Sequence, residues 1–218
     1  MKKEKIIRVI ILFAGLVVAH LGVTLFLLAD LGADPFNVLV QGLFRTLHTI
    51  SFLGGLTHGY THVGICFLII VILLFVDKNY IKIGTFVCMI FGGPIIDFFS
   101  RILAPYLPSQ TPLPVKFAVL AAGCVILACG MTIVIKSEAG TGPNDLVAVV
   151  ISEKGKMPFG IVRIIVDGSF VLAGFLLGGS IGIGTIVCAC LVGPVAGLVM
   201  PSSERLVRSI LKVVCKMT

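Results

Sequence analysis

"LGADPFNVL", residues 31–39, interrupts the first apolar run of the chain, and a near copy, "AGTGPNDLV", occurs at residues 139–147. In both stretches a proline follows one or two glycines. Proline suits the first turn of a helix, where its missing N–H is not needed, and glycine lets the preceding backbone turn sharply. The two stretches therefore predict helices that start at Pro35 and Pro143, each directly after a break in the chain.

The composition indicates a membrane protein. Of the 218 residues, 58% are hydrophobic and 12% are charged, and the mean hydropathy is +1.16. A soluble fold could not bury so much apolar surface. A helix needs about 20 apolar residues to cross the hydrocarbon core of a bilayer. Six stretches meet this requirement, at residues 7–28, 60–77, 83–103, 115–135, 159–178 and 183–200.

The helices predicted at the two breaks are poor candidates for crossing the membrane. "PNDLVAVVIS", residues 143–152, gives about 15 Å of helix at 1.5 Å per residue, against a core of about 30 Å. "PFNVLVQGLFRTLH", residues 35–48, is interrupted by Gln41 and Arg45. Both suit half-helices that dip into the membrane or line a cavity. The predicted fold is thus an all-α polytopic membrane protein with six transmembrane helices plus two short re-entrant or broken half-helices.

The basic residues predict that both termini are cytoplasmic. With six spans, all but three of the 17 Lys and Arg residues fall on the inner side, and the exceptions are Arg45, Arg101 and Lys116. This division obeys the positive-inside rule, so the net charge of +7 reports orientation and does not indicate nucleic-acid binding. An arrangement of eight spans divides the charges nearly as well, and the short length of residues 143–152 argues against it. No signal-peptide cleavage site follows the first apolar run, which we expect to remain as a span.

The two halves of the chain resemble each other. Residues 14–39 align with 122–147, and residues 81–94 align with 181–194. The matches include glycines, prolines and threonines at fixed spacing, which chance similarity between apolar helices would not produce. Each unit contains three spans, an odd number, so the second unit must enter the membrane from the opposite side, as in many transporters. The predicted organisation is a first repeat at 1–103, a Pro-rich extracytoplasmic linker at 104–115, a second repeat at 116–200, and a cytoplasmic amphipathic helix at 201–218.

Three motifs resemble the YczE/YyaS/YitT group of bacterial integral membrane proteins, and its YczE-like branch in particular. They are "ADLGADPFNVL" after the first span, "GTGPNDLV" in the second half, and "RIIVDGSFVLAGFLLGGSIGIGTIVCACLVGP" near the end. The resemblance covers about residues 8 to 200. It implies a multi-pass protein of the bacterial plasma membrane in which transport is suspected and no substrate is assigned. His48, His58 and Tyr60 depart from the plainer segment that is usual in the group.

The helix starts at the two breaks are the first candidate site. The N-terminus of a helix presents free N–H groups and a positive dipole end that can hold an anion, while nearby carboxylates suit a cation or a proton. Alternatively, Asn37 and Asp145 only cap their helices, and the other acids lie in interfacial water. The repetition of the motif in both halves favours a functional role. The candidate residues are Asp30, Gly32, Asp34, Pro35, Asn37, Glu138, Gly140, Gly142, Pro143, Asn144 and Asp145.

Arg163 and Asp167 form the second candidate. They are one helical turn apart on the fifth span, and each unpaired charge at the bilayer centre would cost about 2.5–3.5 kcal/mol, so they should pair. A purely structural ion pair is the alternative, because Arg163 lies near the cytoplasmic end and could reach the interface. His20, also within a span, is interpreted first as a packing residue and second as a proton relay.

The glycine pattern predicts both packing and bending. Gly15, Gly22, Gly123 and Gly130 allow close approach of helices in a bilayer. Two Gly-Pro pairs at matching repeat positions predict kinks that could form a gate or a central cavity. These pairs are Gly93 with Pro94 and Gly193 with Pro194.

The sequence favours a small transporter or channel-like permease for a small polar or charged solute. Alternatives are a substrate-binding membrane subunit like the S-components of energy-coupling-factor transporters, and a regulatory or assembly protein. No HExxH or GxSxG motif is present, and we predict no enzyme, cofactor or metal site. The seven cysteines lie in helical runs without a CxxC pair and are interpreted as small hydrophobic residues. The expected partners are the lipid bilayer and a small-molecule or ion substrate, with homo-oligomerisation left open.

Overall fold

The computed structural model describes residues 2–48, 58–108 and 110–216, and in these ranges every regular element is helical. Residue 109 of the predicted linker, residues 217 and 218 of the predicted C-terminal helix, and most of residues 48–60 lie outside them. The α-helices are α1 (Lys2–Ala29), α2 (Pro35–His48), α3 (His58–Asp77), α4 (Ile83–Leu103), α5 (Leu113–Lys136), α6 (Pro143–Gly155), α7 (Phe159–Leu176) and α8 (Ile183–Lys216).

Among the described helices, six are long and apolar enough to cross a membrane: α1, α3, α4, α5, α7 and α8. The two others, α2 with 14 residues and α6 with 13, extend only about 20 Å and are too short to span. Large apolar side chains cover the outer surface, and Phe75 and Leu198 are 88% and 80% exposed. Such exposure suits contact with lipid rather than water. The predicted all-α fold with six spans and two short helices is confirmed.

Helices α1 and α5 form the centre of the molecule and run antiparallel. A Cβ atom on Gly15 would lie 3.1 Å from the carbonyl oxygen of Gly130, and one on Gly22 would lie 2.6 Å from that of Gly123. Without side chains at these positions, the two backbones approach closely enough for extensive dispersion contact, which drives helix association in lipid. The crossing of α1 and α5 therefore depends on glycines from both.

The two breaks are held by contacts with the other half of the chain. After α1, the carbonyl of Leu31 accepts a 2.8 Å hydrogen bond from the N–H of Gly184 at the start of α8. After α5, the carbonyl of Ala139 accepts a 2.9 Å hydrogen bond from the N–H of Gly84 at the start of α4. The glycine that follows each carbonyl has a positive φ, 142° for Gly32 and 132° for Gly140, which other residues rarely adopt. These bonds fix where α2 and α6 begin.

The outer helices are packed unequally in the two halves. Helix α7 lies along α8, and a Cβ on Gly193 of α8 would meet the Gly160 carbonyl oxygen at 2.6 Å and Ile164 at 2.9 Å. The corresponding helices, α3 and α4, make almost no contact with each other. A Cβ on Gly93 of α4, or on Gly64 of α3, would have no neighbour within 4 Å among the residues that the structure describes. The first half is therefore open where the second half is closed.

The C-terminal segment predicted from residue 201 is not a separate helix, because α8 continues through Pro194 and Pro201 to Lys216. Contacts with the end of α5 explain the continuity. Ser203 shares a 2.8 Å hydrogen bond with Thr132, Glu204 pairs with Lys136 at 2.8 Å, and Val207 is buried. The segment thus extends the last span and packs on the bundle along one side.

Candidate functional site

The N-termini of α2 and α6 open onto one cavity of about 300 Å³. It is lined by Asp34, Pro35 and Asn37 from the first break and by Pro143, Asn144 and Asp145 from the second. The C-terminal halves of α1 and α5 and the central turns of α4 form the walls, so the cavity lies within the depth of the spans. The structure therefore brings together the two helix starts that are far apart in the sequence.

Asp34 caps the first of these helices. One of its carboxylate oxygens accepts a 3.1 Å hydrogen bond from the backbone N–H of Asn37, and the other accepts a 2.5 Å bond from the Asn37 side chain. This satisfies a backbone donor that has no partner within the helix. Asp34 remains partly exposed to the cavity and places a carboxylate at the positive end of α2.

The start of α6 is built differently. Its capping position is Gly142, which has no side chain, and the carboxylate is one turn later, at Asp145. Oδ1 of Asp145 accepts a 3.1 Å bond from the Asn144 side chain and a 2.5 Å bond from Nη1 of Arg163. Asp145 is thus more than a cap, because it joins α6 to α7.

Arg163 also binds a second carboxylate, that of Asp167. Its Nε donates a 2.8 Å hydrogen bond to Oδ2 of Asp167, one turn along α7. Arg163 is 7% exposed and Asp167 is fully buried, and the other oxygen of Asp167, Oδ1, has no hydrogen-bond partner among the described residues. The pair predicted from the i, i+4 spacing is present, and a third member, Asp145, is added from another helix.

Two histidines that were not predicted as site residues line the same cavity. Nδ1 of His20 on α1 lies 2.8 Å from the carbonyl oxygen of Leu16, and its Nε2 faces Gly92 of α4, where a Cβ would be 2.8 Å away. His62 on α3 packs edge to face on Phe36, with ring centroids 5.2 Å apart.

Helices α3 and α7 present polar groups to the cavity at matching positions. His62 and Cys66 are the fifth and ninth residues of α3, and Arg163 and Asp167 are the fifth and ninth of α7. His62, Cys66 and Arg163 line the cavity, and Asp167 lies behind Arg163. Aligning the two spans from their first residues would have found His62 and Cys66 from the sequence.

Several predicted site residues lie elsewhere. Asp30 and Glu138 are exposed and have left-handed backbone, with φ of 53° and 57°. Glu138 forms a 2.7 Å ion pair with Arg8 and, with Gly140, lines a separate cavity of about 310 Å³ near the end of α3. Gly32 packs against Gly182 at the first break. Of the two predicted Gly-Pro gates, only Gly93 lines the central cavity, while Pro94, Gly193 and Pro194 do not.

The groups that line the cavity could bind a small polar or charged solute. Charged and amide groups converge at one end, and apolar side chains such as Phe26, Phe36 and Met131 form much of the remaining wall. Across the described ranges, no three His, Cys, Asp or Glu residues are placed to share a metal ion. A volume of about 300 Å³ is at the lower end for ligand pockets and suits a small molecule.

Comparison with known proteins gives a family and several relatives. Residues 6–201 match the family of unknown function DUF6198. The chain is 31% identical over 207 residues to the uncharacterized membrane protein YczE of Bacillus subtilis, covering 94% of this chain and 91% of YczE. It is 29% identical over 197 residues to the uncharacterized protein YyaS of the same organism, covering 88% and 91%.

A third relative comes from another organism. The chain is 28% identical over 200 residues to an uncharacterized protein of Haemophilus influenzae, covering 90% of this chain and 84% of that protein. No solved structure matches the chain. Because the family model matches residues 6–201, the chain is a membrane protein that belongs to the DUF6198 family of unknown function, and it is related to the uncharacterized proteins YczE and YyaS.

Proposed function

We propose that the protein is a small transporter or channel-like permease that binds a small polar or charged solute between the starts of α2 and α6. The observation that carries the proposal is the central cavity, in which two interrupted helices present their N-termini together with a buried Arg163. Intramembrane charges are costly and are kept mainly where they serve a pathway or a binding site. A protein with only a structural role has no need of a polar cavity at this depth.

An inverted repeat supports the proposal. Gly15 aligns with Gly123 in the sequence and Gly22 with Gly130, yet Gly15 packs on Gly130 and Gly22 on Gly123. Such reciprocal contacts between antiparallel, equivalent helices are what a pseudo-twofold axis in the membrane plane produces. Transporters built in this way bind their substrates where discontinuous helices meet near the midplane.

The unequal packing of the outer helices supports alternating access as the mechanism. In the second half, Gly160 on α7 contacts Gly193 on α8. The corresponding residues of the first half are Gly59 and Gly93, and both are exposed. If the two halves exchange these arrangements, α3 closes on α4 while α7 leaves α8, and the cavity then opens on the other side. One structure with one open and one closed half is the expected form of such a cycle.

The proposal also covers the orientation of the protein in the membrane, its location and its partners. The positive-inside rule assigns both termini to the cytoplasm, and the relatives favour the bacterial plasma membrane. With this topology the gap between α3 and α4 faces outward, because Ile96 and His62 lie in the outer halves of their spans. The proposed partners are lipid, a small solute, and a proton or sodium as coupling ion; homo-oligomerisation stays open, and we propose no enzymatic activity.

Solute exchange in proteoliposomes tests the function. Vesicles with purified protein are loaded with the small-molecule extract of bacterial cells, diluted into buffer, and analysed by mass spectrometry for solutes that leave faster than from protein-free vesicles. We expect a small set of such solutes, whose efflux Asp145→Asn reduces at least tenfold. Asp97→Asn is the matched control, because Asp97 is an exposed acid on α4 outside the cavity. Equal efflux with and without protein would overturn the proposal.

A further inference from the structure

The charges at the central cavity do not balance. Asp34 and Asp145 line the cavity, and Asp167 lies directly behind Arg163, which binds both Asp145 and Asp167. Two carboxylates therefore bind a single guanidinium and a third, Asp34, lines the same cavity, so the four groups carry two formal negative charges within the depth of the membrane spans.

The two helix N-termini offset only part of this charge. Each supplies a positive partial charge equivalent to about half an elementary charge; Asp34 directly precedes α2, and Asp145 lies in the first turn of α6. About one negative charge is left without a partner. Oδ1 of Asp167 is fully buried and has no hydrogen-bond partner among the described residues, so this carboxylate depends on Arg163 for its compensation. An uncompensated charge in a region of low dielectric is strongly unfavourable, and the site therefore favours a ligand that brings one positive charge.

The other walls of the cavity indicate what kind of cation fits. Most of them are apolar or aromatic, including Phe26, Phe36 and Met131, whereas a bare metal ion requires several oxygen ligands in a shell. Aromatic faces attract organic ammonium groups, and apolar side chains accommodate their carbon substituents. We infer that the central cavity binds a small monovalent organic cation, with Asp34 as the carboxylate that faces it. This inference rests on the proposed function in that it assigns the solute class of the same cavity.

Ligand-dependent unfolding tests the inference separately from transport. Tetramethylammonium chloride is the probe, because its charge is permanent; sodium chloride and sodium acetate at equal ionic strength are the references. We expect tetramethylammonium to raise the unfolding temperature of the solubilised protein in a saturable manner, while acetate behaves as sodium chloride does. Asp34→Asn should weaken the apparent affinity at least about tenfold, since it removes the facing charge. Asparagine is also a good helix cap, so the start of α2 is retained.

A second variant supplies the missing charge covalently. Met89 lines the cavity from α4, and Met89→Lys places an ammonium group there, which should abolish the response to tetramethylammonium. Met89→Gln, of similar length and uncharged, should retain it, as should Asp97→Asn. The inference is overturned if tetramethylammonium acts no differently from sodium, if acetate gives the larger shift, or if the response persists in Met89→Lys.

The outcomes for binding and for transport are distinguishable. If tetramethylammonium stabilises the protein but no solute exchange occurs in proteoliposomes, the proposed permease function is overturned and the inferred cation site is supported. If anionic or neutral solutes are exchanged and tetramethylammonium has no effect, the inferred cation site is overturned and the permease function is supported.

Discussion

Arg163 on α7 donates a 2.5 Å hydrogen bond to Asp145 on α6, and this contact joins the short helix of the second half to a full span. The same guanidinium holds Asp167 at 2.8 Å, so a single cation serves two carboxylates within the bundle. The corresponding positions of the first half are occupied by Asn37, His62 and Cys66, which carry no fixed charge. The two halves therefore differ in the charge that they bring to the cavity.

Removing Arg163 is expected to be far more damaging than removing an arginine at the periphery. Arg163→Gln removes the ion-pair partner of the buried Asp167 and of the partly buried Asp145, and breaking a buried pair costs about 3–5 kcal/mol. Arg8→Gln breaks the pairs with Glu138 and Glu4, whose side chains are 66% and 45% exposed, and a hydrogen bond to the Ser137 carbonyl; because these acids are solvated, the loss should be about 1 kcal/mol. Unfolding free energies in mixed micelles compare the two variants. Equal losses would show that the charges of the cavity are as well solvated as those at the surface.

The glycines at the crossing of α1 and α5 should tolerate no side chain. A Cβ on Gly22 would meet the backbone of Leu127 and the carbonyl of Gly123, which cannot move aside as a flexible side chain could. We expect Gly22→Ala to destabilise the protein by about 1–3 kcal/mol. Gly168→Ala on α7 is the control, because nothing lies within 4 Å of the added atom, and it should stabilise the helix by about 0.5–1 kcal/mol. The unfolding temperatures of the two variants test this prediction. A Gly22→Ala protein as stable as the unmodified protein would contradict the close crossing of α1 and α5.

The open and closed halves should differ in access to water-soluble reagents. Ile96 on α4 lines the cavity, whereas Ala196, its counterpart on α8, is completely buried. We expect Ile96→Cys to react with a membrane-impermeant maleimide added from the outer side, and Ala196→Cys not to react from either side. Peptide mass spectrometry assigns the label to its residue, which separates it from the native cysteines. Labelling of residue 96 only from the inner side would reverse the proposed topology.

The sequence predicted the parts of the site that depend on residues close together in the chain, and it missed the contacts that join separate helices. Both short helices start at the predicted prolines, since proline at the first turn and glycine before it act within a few residues. The contact of Arg163 with Asp167 was predictable because the two residues are one helical turn apart. The contact of Arg163 with Asp145 joins two helices, and no local pattern specifies it. Asp30 and Glu138 resembled site residues because they are acids beside the breaks, but both occupy a left-handed turn at the end of the preceding span, four residues before Asp34 and Gly142, which do line the cavity.

A last pair of matched positions tests what holds the breaks in place. Thr185, at the start of α8, donates a 2.6 Å hydrogen bond to the carbonyl of Ala33 in the first break. Thr85 occupies the same place at the start of α4, but its hydroxyl is buried without a partner among the described residues. Thr→Val replaces a hydroxyl by a methyl group of similar size, so the two substitutions differ mainly in the hydrogen bond that is lost.

Thr185→Val should leave the Ala33 carbonyl unsatisfied and lower the free energy of unfolding by about 1–3 kcal/mol. Thr85→Val removes a buried polar atom that has no partner, and it should be neutral or slightly stabilising. Unfolding in mixed micelles measures both, and solute exchange shows whether loosening the first break also affects the start of α2. If Thr85→Val destabilises as much as Thr185→Val, the Thr85 hydroxyl has a partner such as an ordered water, and the two breaks are held equally. If only Thr185→Val destabilises the protein, the first break is held by a hydrogen bond that the second break lacks.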